Sequence, residues 1–213
     1  MNSQYIYHMP HTVIYSEIDA RGLLSLPSFF SLFQEAALLH ADELGFGEEY
    51  CRREGLMWVL SRLLLEIESF PVHRSRIRIV TWAKEPKGPF ASRDFLVQSE
   101  DGETFARATS SWLLLNIDTM RPKRPQPIFE GYPFEELGEA IEGHAIKING
   151  QEVECSSQLE VTARYSDLDR NDHVNNTRYV RWFLDCYTPE EITPKGNLRF
   201  AVSYLQAALF NDS

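Results

Sequence analysis

One stretch concentrates the groups able to do chemistry: Tyr165-Ser166-Asp167-Leu168-Asp169-Arg170-Asn171-Asp172-His173-Val174-Asn175-Asn176. Carboxylates, amides and an imidazole are crowded into a short polar run before the chain turns apolar. Along extended backbone, alternate side chains point the same way. Asp169, Asn171 and His173 therefore have the spacing to share one site: a carboxylate able to act as base or nucleophile, with an amide and an imidazole beside it. The competing reading is an Asn/Asp-rich turn that caps a helix, since these residue types are favoured there.

The stretch has a degenerate echo 150 positions earlier, Tyr15-Ser16-Glu17-Ile18-Asp19-Ala20-Arg21-Gly22-Leu23-Leu24-Ser25-Leu26. Tyr-Ser-acid-aliphatic-Asp is kept, but Asn171 faces Arg21 and His173 faces Leu23. A duplicated unit with chemistry in one half is the simplest account.

The elements that must position these residues follow from pattern. A strand is expected over 11–18, then a polar turn, then a helix from about Pro27 to Leu44. Pro27 suits its first turn and Gly45 its C-terminal cap. The helix is apolar almost all round and should be buried. Strand character marks Met57–Ile67, Arg76–Ala83, Phe90–Gln98 and Ala106–Ile117, with a hairpin turn at Glu100–Glu103. Proline at 122, 125 and 127 rules out a helix or central strand there, so residues 121–155 read as a linker. The order then repeats: strand 158–165, helix from about Asn176 to Tyr187, a further turn opened by Thr188-Pro189, and strand Leu198–Leu205. The fold class is α+β, with units at 1–120 and 156–213. The first unit spans about 100 residues from Tyr15 to Asn116 and the second 49 from Tyr165 to Ser213, so the second unit reads as C-terminally truncated.

Composition bounds the function. With 43% hydrophobic residues and 13 Phe, 9 Tyr and 4 Trp, the chain can fill a core and does not read as disordered. A net charge of −10 argues against a nucleic-acid binder. Cys51, Cys155 and Cys186 are scattered, which suggests neither disulfides nor a zinc site and fits a reduced cytoplasm. No apolar run reaches a membrane span, and no Gly-rich phosphate loop is present.

The run Asp167 to Trp182, Asp-Leu-Asp-x-Asn-x-His-Val-Asn-Asn-x-x-Tyr-x-x-Trp, resembles the signature of acyl-acyl-carrier-protein thioesterases, bacterial relatives of the plant fatty-acyl enzymes. Leu32-Phe33-Gln34-Glu35-Ala36-Ala37, Trp58-Val59-Leu60-Ser61-Arg62, Ala91-Ser92-Arg93-Asp94-Phe95 and Thr119-Met120-Arg121-Pro122 resemble the same family. The resemblance implies a tandem hotdog fold, each unit a long helix wrapped by a curved antiparallel sheet, with the acyl pocket in the first. It implies hydrolysis of fatty acyl-acyl carrier protein without a cofactor, by a monomer or homodimer with no membrane partner. Asp169, Asn171 and His173 match the family's catalytic residues. Backbone N–H groups of Val174, Asn175 and Asn176, at the helix start, are candidate oxyanion donors. The family's strand carboxylate, in a Tyr-x-x-Glu context, is absent: Tyr204-Leu205-Gln206-Ala207 stands there, leaving Gln206 as a water-positioning candidate and Ala207 at the usual Glu place.

Alternatives are an acyl-CoA thioesterase and a non-catalytic acyl-binding remnant. A Cys186–His173 nucleophilic pair is the runner-up chemistry. His40 reads as a core histidine. Trp58, Trp82 and Trp112 are candidates for an acyl tunnel. Arg52-Arg53, Arg121-Lys123-Arg124 and Arg178-Arg181 are candidates for docking an acidic carrier protein.

Overall fold

The computed structural model of the chain describes residues 3–134, 137–148, 159–192 and 196–213. Helix α1, Leu26–Glu43, lies at the centre. The Ser25 side chain accepts a hydrogen bond from the Ser28 N–H and caps it, and Pro27 sits where no N–H is needed. Phe29, Phe30, Phe33 and Ala36 are at most 2% exposed, while Ser31, Glu35, Leu38 and Asp42 form a stripe at helical spacing toward water. Gly45, at φ 80°, ends the helix as its sequence suggests.

The strands are β1 Tyr7–Thr12, β2 Leu56–Ile67, β3 Arg76–Lys87, β4 Phe90–Ser99, β5 Thr104–Asn116, β6 Pro122–Lys123 and β7 Leu198–Ser203. They form one antiparallel sheet in the order β1-β3-β4-β5-β2-β7, with β6 on β5. Leu63, Leu65, Ile77, Ile79, Phe95 and Val97 recur at period two and pack on the phenylalanines of α1. Each fully buried Phe or Leu contributes roughly 1.5–3 kcal/mol. Helix α2, Glu48–Glu54, has no counterpart in the sequence reading. Among the described residues no helix is long and apolar enough to cross a membrane.

Three expectations are corrected. The strand expected at 11–18 lies earlier, at β1, because Tyr15–Glu17 closes into a single 3-10 turn. The strand expected over 158–165 does not form a ladder in its described part. Residues 165–167 make the same 3-10 turn, and Ala163 alone exchanges backbone bonds, with Asp212 (2.9 Å) and Asn211 (3.0 Å). The second helix, α3 (Asn176–Leu184), ends before Tyr187, at the Asp185 cap. The expected further turn exists as α4, Pro189–Ile192.

Among the described residues the strands of both units lie in one sheet. Strand β7 pairs with β2, Ser203 opposite Arg62 through Leu198 opposite Ile67. Phe200 of β7 stands between Phe30 of α1 (5.9 Å between ring centres) and Phe183 of α3 (5.5 Å).

The described part of the linker folds back on the first unit. Trp82, Lys84 and Asp94 point to the sheet face opposite α1, since Ile79, Phe95 and their alternates face the helix. There the Trp82 Nε1–H donates to the Gly138 carbonyl (3.1 Å), and the Lys84 ammonium donates to the carbonyls of Gly143 (2.5 Å) and Ile141 (3.2 Å). Lys84 also pairs with Glu139 (3.0 Å) and with the fully buried Asp94 (3.5 Å), which accepts the Ala140 N–H at 2.7 Å. Burial pushes the Asp94 carboxyl above its usual range, against the lowering effect of the neighbouring ammonium.

Phe33 packs its ring 4.7 Å from that of Phe95. Phe33→Ala should cost about 3–5 kcal/mol in urea denaturation, whereas Ser31→Ala on the wet stripe should stay within about 0.5 kcal/mol. Equal losses from both would show that α1 is not the centre of the core.

Candidate active site

The polar turn is built twice, bond for bond. The Asp19 N–H donates to the Leu23 carbonyl (2.8 Å), and the Asp169 N–H to that of His173 (2.7 Å). Asp19 Oδ1 accepts the N–H groups of Arg21 (2.9 Å) and Leu23 (3.2 Å); Asp169 Oδ1 accepts those of Asn171 (2.7 Å) and His173 (3.4 Å). The carboxylates of Glu17 and Asp167 each accept an N–H three residues back, from Ile14 and Arg164, at 2.9 Å. Both copies need a left-handed residue, supplied by Gly22 at φ 78° and Asp172 at φ 60°. Ser25 and Asn175 then cap α1 and α3 in equivalent places. The inferred duplication thus holds at the level of single hydrogen bonds.

The copies differ in the other carboxylate oxygen. The Arg21 guanidinium occupies Asp19 Oδ2, donating at 2.9 and 2.5 Å. Among the described residues, nothing donates to Asp169 Oδ2. Asp169 instead helps line a cavity of about 350 Å³. Asn171 lines it too, as does Arg170, which pairs with Glu48 at the start of α2. The rest of the wall belongs to the first unit and the linker and is mostly apolar: Ala37, Ala41, Phe46, Trp58 and Trp112 of the unit and Phe129 of the linker carry much of it. Small residues create the space, Ala37 and Ala41 on α1 with Ala83 and Ala91 on β3 and β4, while the phenylalanines of α1 fill the core instead.

His173 sits on the same loop, half-buried, its backbone bridged to Leu209, and is not part of the cavity wall. Two of the three N–H groups singled out as oxyanion donors are already committed: Val174 donates to the Ala208 carbonyl and Asn175 to that of Asp167, both at 2.9 Å. Asn176 N–H meets no acceptor among the described residues. Its side chain joins the units, Nδ2 donating to Gln34 Oε1 at 2.9 Å, and the Tyr204 hydroxyl donates to its carbonyl at 3.1 Å. Burial raises the pKa of Tyr204. Gln206 and Ala207 are exposed in the bend after β7, next to Ala208, whose N–H donates to the Tyr179 hydroxyl (2.9 Å).

Other expectations sort cleanly. Trp58 and Trp112 line the cavity; Trp82 does not, because it points through the sheet to the linker. Cys186 lies beyond the C-terminal end of α3 and His173 before its start, so a helix of roughly 14 Å separates them and no nucleophilic pair forms. Cys51 does line the cavity, unforeseen, but burial pushes its thiol up to about 11. Arg52 and Arg53 are paired with Glu49 and Glu54, and Arg178 donates to the Ser166 carbonyl (2.6 Å), which leaves Arg181 on the groove between α1 and α3. Among the described residues no three metal-ligating side chains cluster.

Sequence reasoning passed over a buried pair at the cavity. Arg93, from β4, donates through Nη1 to His40 Nδ1 (2.8 Å) and to the Thr81 hydroxyl (3.2 Å). With Nδ1 accepting, His40 carries its proton on Nε2, which donates to the Gln4 carbonyl (3.3 Å). Burial, then the Arg93 charge, lowers the His40 pKa to about 3.

Known proteins of one family resemble this chain in sequence and in fold. The family model described as the acyl-ACP thioesterase N-terminal domain matches residues 4–131, and the C-terminal domain model matches 150–207. The chain is 32% identical over 181 residues to an acyl-[acyl-carrier-protein] hydrolase of Cuphea viscosissima, covering 79% of this chain and 43% of that protein. An oleoyl-acyl carrier protein thioesterase of Arabidopsis thaliana is 28% identical over 199 residues, with 86% of this chain and 54% of its own length covered. The chain thus spans about half the length of these plant relatives. The crystal structure of an acyl-ACP thioesterase from Bacteroides thetaiotaomicron superposes with a TM-score of 0.80 at 25% identity, covering 100% of this chain and 86% of that one. The 12:0-ACP thioesterase of Umbellularia californica gives 0.77 at 25%, covering 96% and 84%. The hotdog fold expected from the sequence is that of these thioesterases.

His40 also makes a prediction. Its folded pKa lies below its unfolded one, so its contribution to stability is complete above pH 6.5 and is lost as pH falls toward about 3. One such group removes about 2 kcal/mol between pH 6.5 and 5. His40→Gln, which keeps an acceptor for Arg93 but cannot titrate, should flatten that part of the urea-denaturation profile. An unchanged slope would mean that His40 is not held neutral.

Proposed function

Because the chain belongs to the acyl-ACP thioesterase family, we propose that it hydrolyses the thioester of a fatty acyl-acyl carrier protein and releases the free fatty acid. One observation carries this reading: two copies of one turn use the second oxygen of their carboxylate differently, locked by Arg21 at Asp19 and unpaired among the described residues, beside a mostly apolar cavity, at Asp169. The names of the relatives, hydrolase and thioesterase, point the same way.

On this reading the first unit, 1–120, receives the acyl chain and the second, 156–213, brings the reacting loop to it across the 121–155 linker. The chain lies in the cavity and its thioester meets residues 169–171 at the wall. Asp169 either attacks the carbonyl and expels the carrier's thiolate, leaving a mixed anhydride that water then cleaves to the free acid, or takes a proton from a water that attacks the carbonyl and passes it to the departing thiolate. Asn171 and His173 position it and the substrate. As charge collects on the carbonyl oxygen, Asn176 N–H is the donor left over at the helix start. Gln206 holds the attacking water. The carrier protein, acidic like this chain, docks against Arg181 and the exposed Arg121, Lys123 and Arg124, in the cytoplasm.

Asp169→Asn and Asp19→Asn make a matched pair, because each keeps the oxygen that accepts the loop N–H groups. Fatty acid release from acyl carrier protein should vanish in the first and persist in the second. Survival in Asp169→Asn, or equal loss in both, would defeat the reading. Ala207→Glu, beside the loop, should raise the rate by roughly 100- to 10,000-fold if the chemistry lacks a general base; no gain would mean that Gln206 or water suffices.

A further inference from the structure

We propose that Phe129, on the linker, forms the far end of the acyl cavity and so sets the longest chain that the protein hydrolyses. The inference rests on the thioester-hydrolase reading and adds to it the residue that fixes substrate length.

The cavity runs across the sheet. Its wall takes Trp58 from β2, Trp112 from β5, Ala91 from β4 and Ala83 from β3. These strands lie side by side in that order, and three strand spacings amount to about 14 Å. The reacting loop stands at the β2 end. Its unit joins the sheet beside β2, through β7. Arg170 of the loop pairs with Glu48 of α2, the helix that leads through Gly55 into β2. Phe129 stands at the other end, packed with Ala83 and Ala91. The ring of Phe46 lies between the two ends, its centre 6.3 Å from that of Trp58 and 5.1 Å from that of Phe129.

Phe129 is 6% exposed and is anchored from both sides. It closes the 3-10 turn Gln126–Phe129, where the Gln126 side-chain amide donates to the Gly88 carbonyl in the β3–β4 hairpin (2.8 Å). On its other side, Tyr132 finishes an edge that β1 leaves open. Strand β1 pairs with β3 no further than Thr81. Past that point the Tyr132 hydroxyl accepts the Ala83 N–H (3.3 Å) and donates to the Tyr5 carbonyl (3.0 Å). Tyr132 and Phe134 back the Phe129 ring, with ring centres 5.7 and 5.9 Å from it, and neither lines the cavity. A chain running along the alanines of β4 and β3 therefore ends against Phe129. With that ring removed, the rings of Tyr132 and Phe134 would become the new end, several carbons further on.

The test loads acyl carrier protein with saturated chains of increasing even length and measures kcat/KM for each. A methylene too many in a closed apolar pocket costs about tenfold or more, so the wild type should show a sharp upper limit. Phe129→Ala should raise kcat/KM by about tenfold or more on the first chain beyond that limit, while shorter chains change little. Phe129→Leu should move the limit the same way and Phe129→Trp toward shorter chains. Thermal denaturation checks that the variants fold; should Phe129→Ala not fold, the opposite shifts of the other two variants carry the test. A limit that stays in place in the folded variants overturns the proposal, as does an equal loss on every chain, which would indicate a structural role alone. Calorimetry with non-hydrolysable acyl-pantetheine amides of the same lengths reads binding without chemistry. If no thioester is cleaved, the hydrolase reading fails, yet a length limit in binding that moves with residue 129 still upholds Phe129 as the end of the cavity. A binding limit indifferent to residue 129 sinks it in every case.

Discussion

Each half of the molecule depends on one carboxylate oxygen that accepts two backbone N–H groups of its own loop. At Asp19 and Asp169 this oxygen closes the turn that leads the chain into a helix, and the cap, the helix axis and the packing of that helix on the sheet follow from it. Short acidic side chains do this readily because they reach their own backbone two to four residues on. A carboxylate has two oxygens, however, and folding consumes one. The chemistry open to Asp169 is what the second oxygen can do once the first is fixed. That arrangement also orients it, since rotation about the side chain would break both backbone bonds.

This explains why the duplication was legible at the turn itself. Tyr-Ser-acid-aliphatic-Asp survives in both copies because its acids satisfy backbone donors wherever the turn occurs. The positions free to diverge are those whose side chains do no such work, and Arg21 against Asn171 and Leu23 against His173 are the differences seen. The long strands and α1 were equally plain, because buried alternation and an apolar helix leave strong periodic marks. Tyr15–Glu17 and Tyr165–Asp167 misled the strand boundaries, since one 3-10 turn leaves no period to detect.

Much of the site had no local signal. The cavity is made by alanines of α1, β3 and β4, and an alanine in a helix or strand looks the same whether it closes a core or opens a space. Helix α2 is only two turns of polar residues, with Cys51 its single buried side chain. Arg93 and His40 lie 53 positions apart, so their contact exists only through tertiary packing. Nor does sequence tell which backbone donors at the start of α3 are free: Ala208, far along the chain, had already taken the Val174 N–H.

The crossing segment bears on modularity. Lys84 and one carboxylate oxygen of Asp94, nearly or wholly buried on the outer sheet face, find their partners in Glu139, Ala140, Ile141 and Gly143, none of which belongs to the first unit by sequence pattern. The crossing is thus a piece of the first unit's architecture rather than a tether between two modules. When halves are exchanged between homologues, a splice made where the prolines begin would separate a buried ion pair from its cover. A splice placed after Ala145, which is itself 2% exposed, keeps donor, acceptor and cover of common ancestry. Recombination in this fold is therefore constrained by who shields the charge, not by where the helices and strands stop.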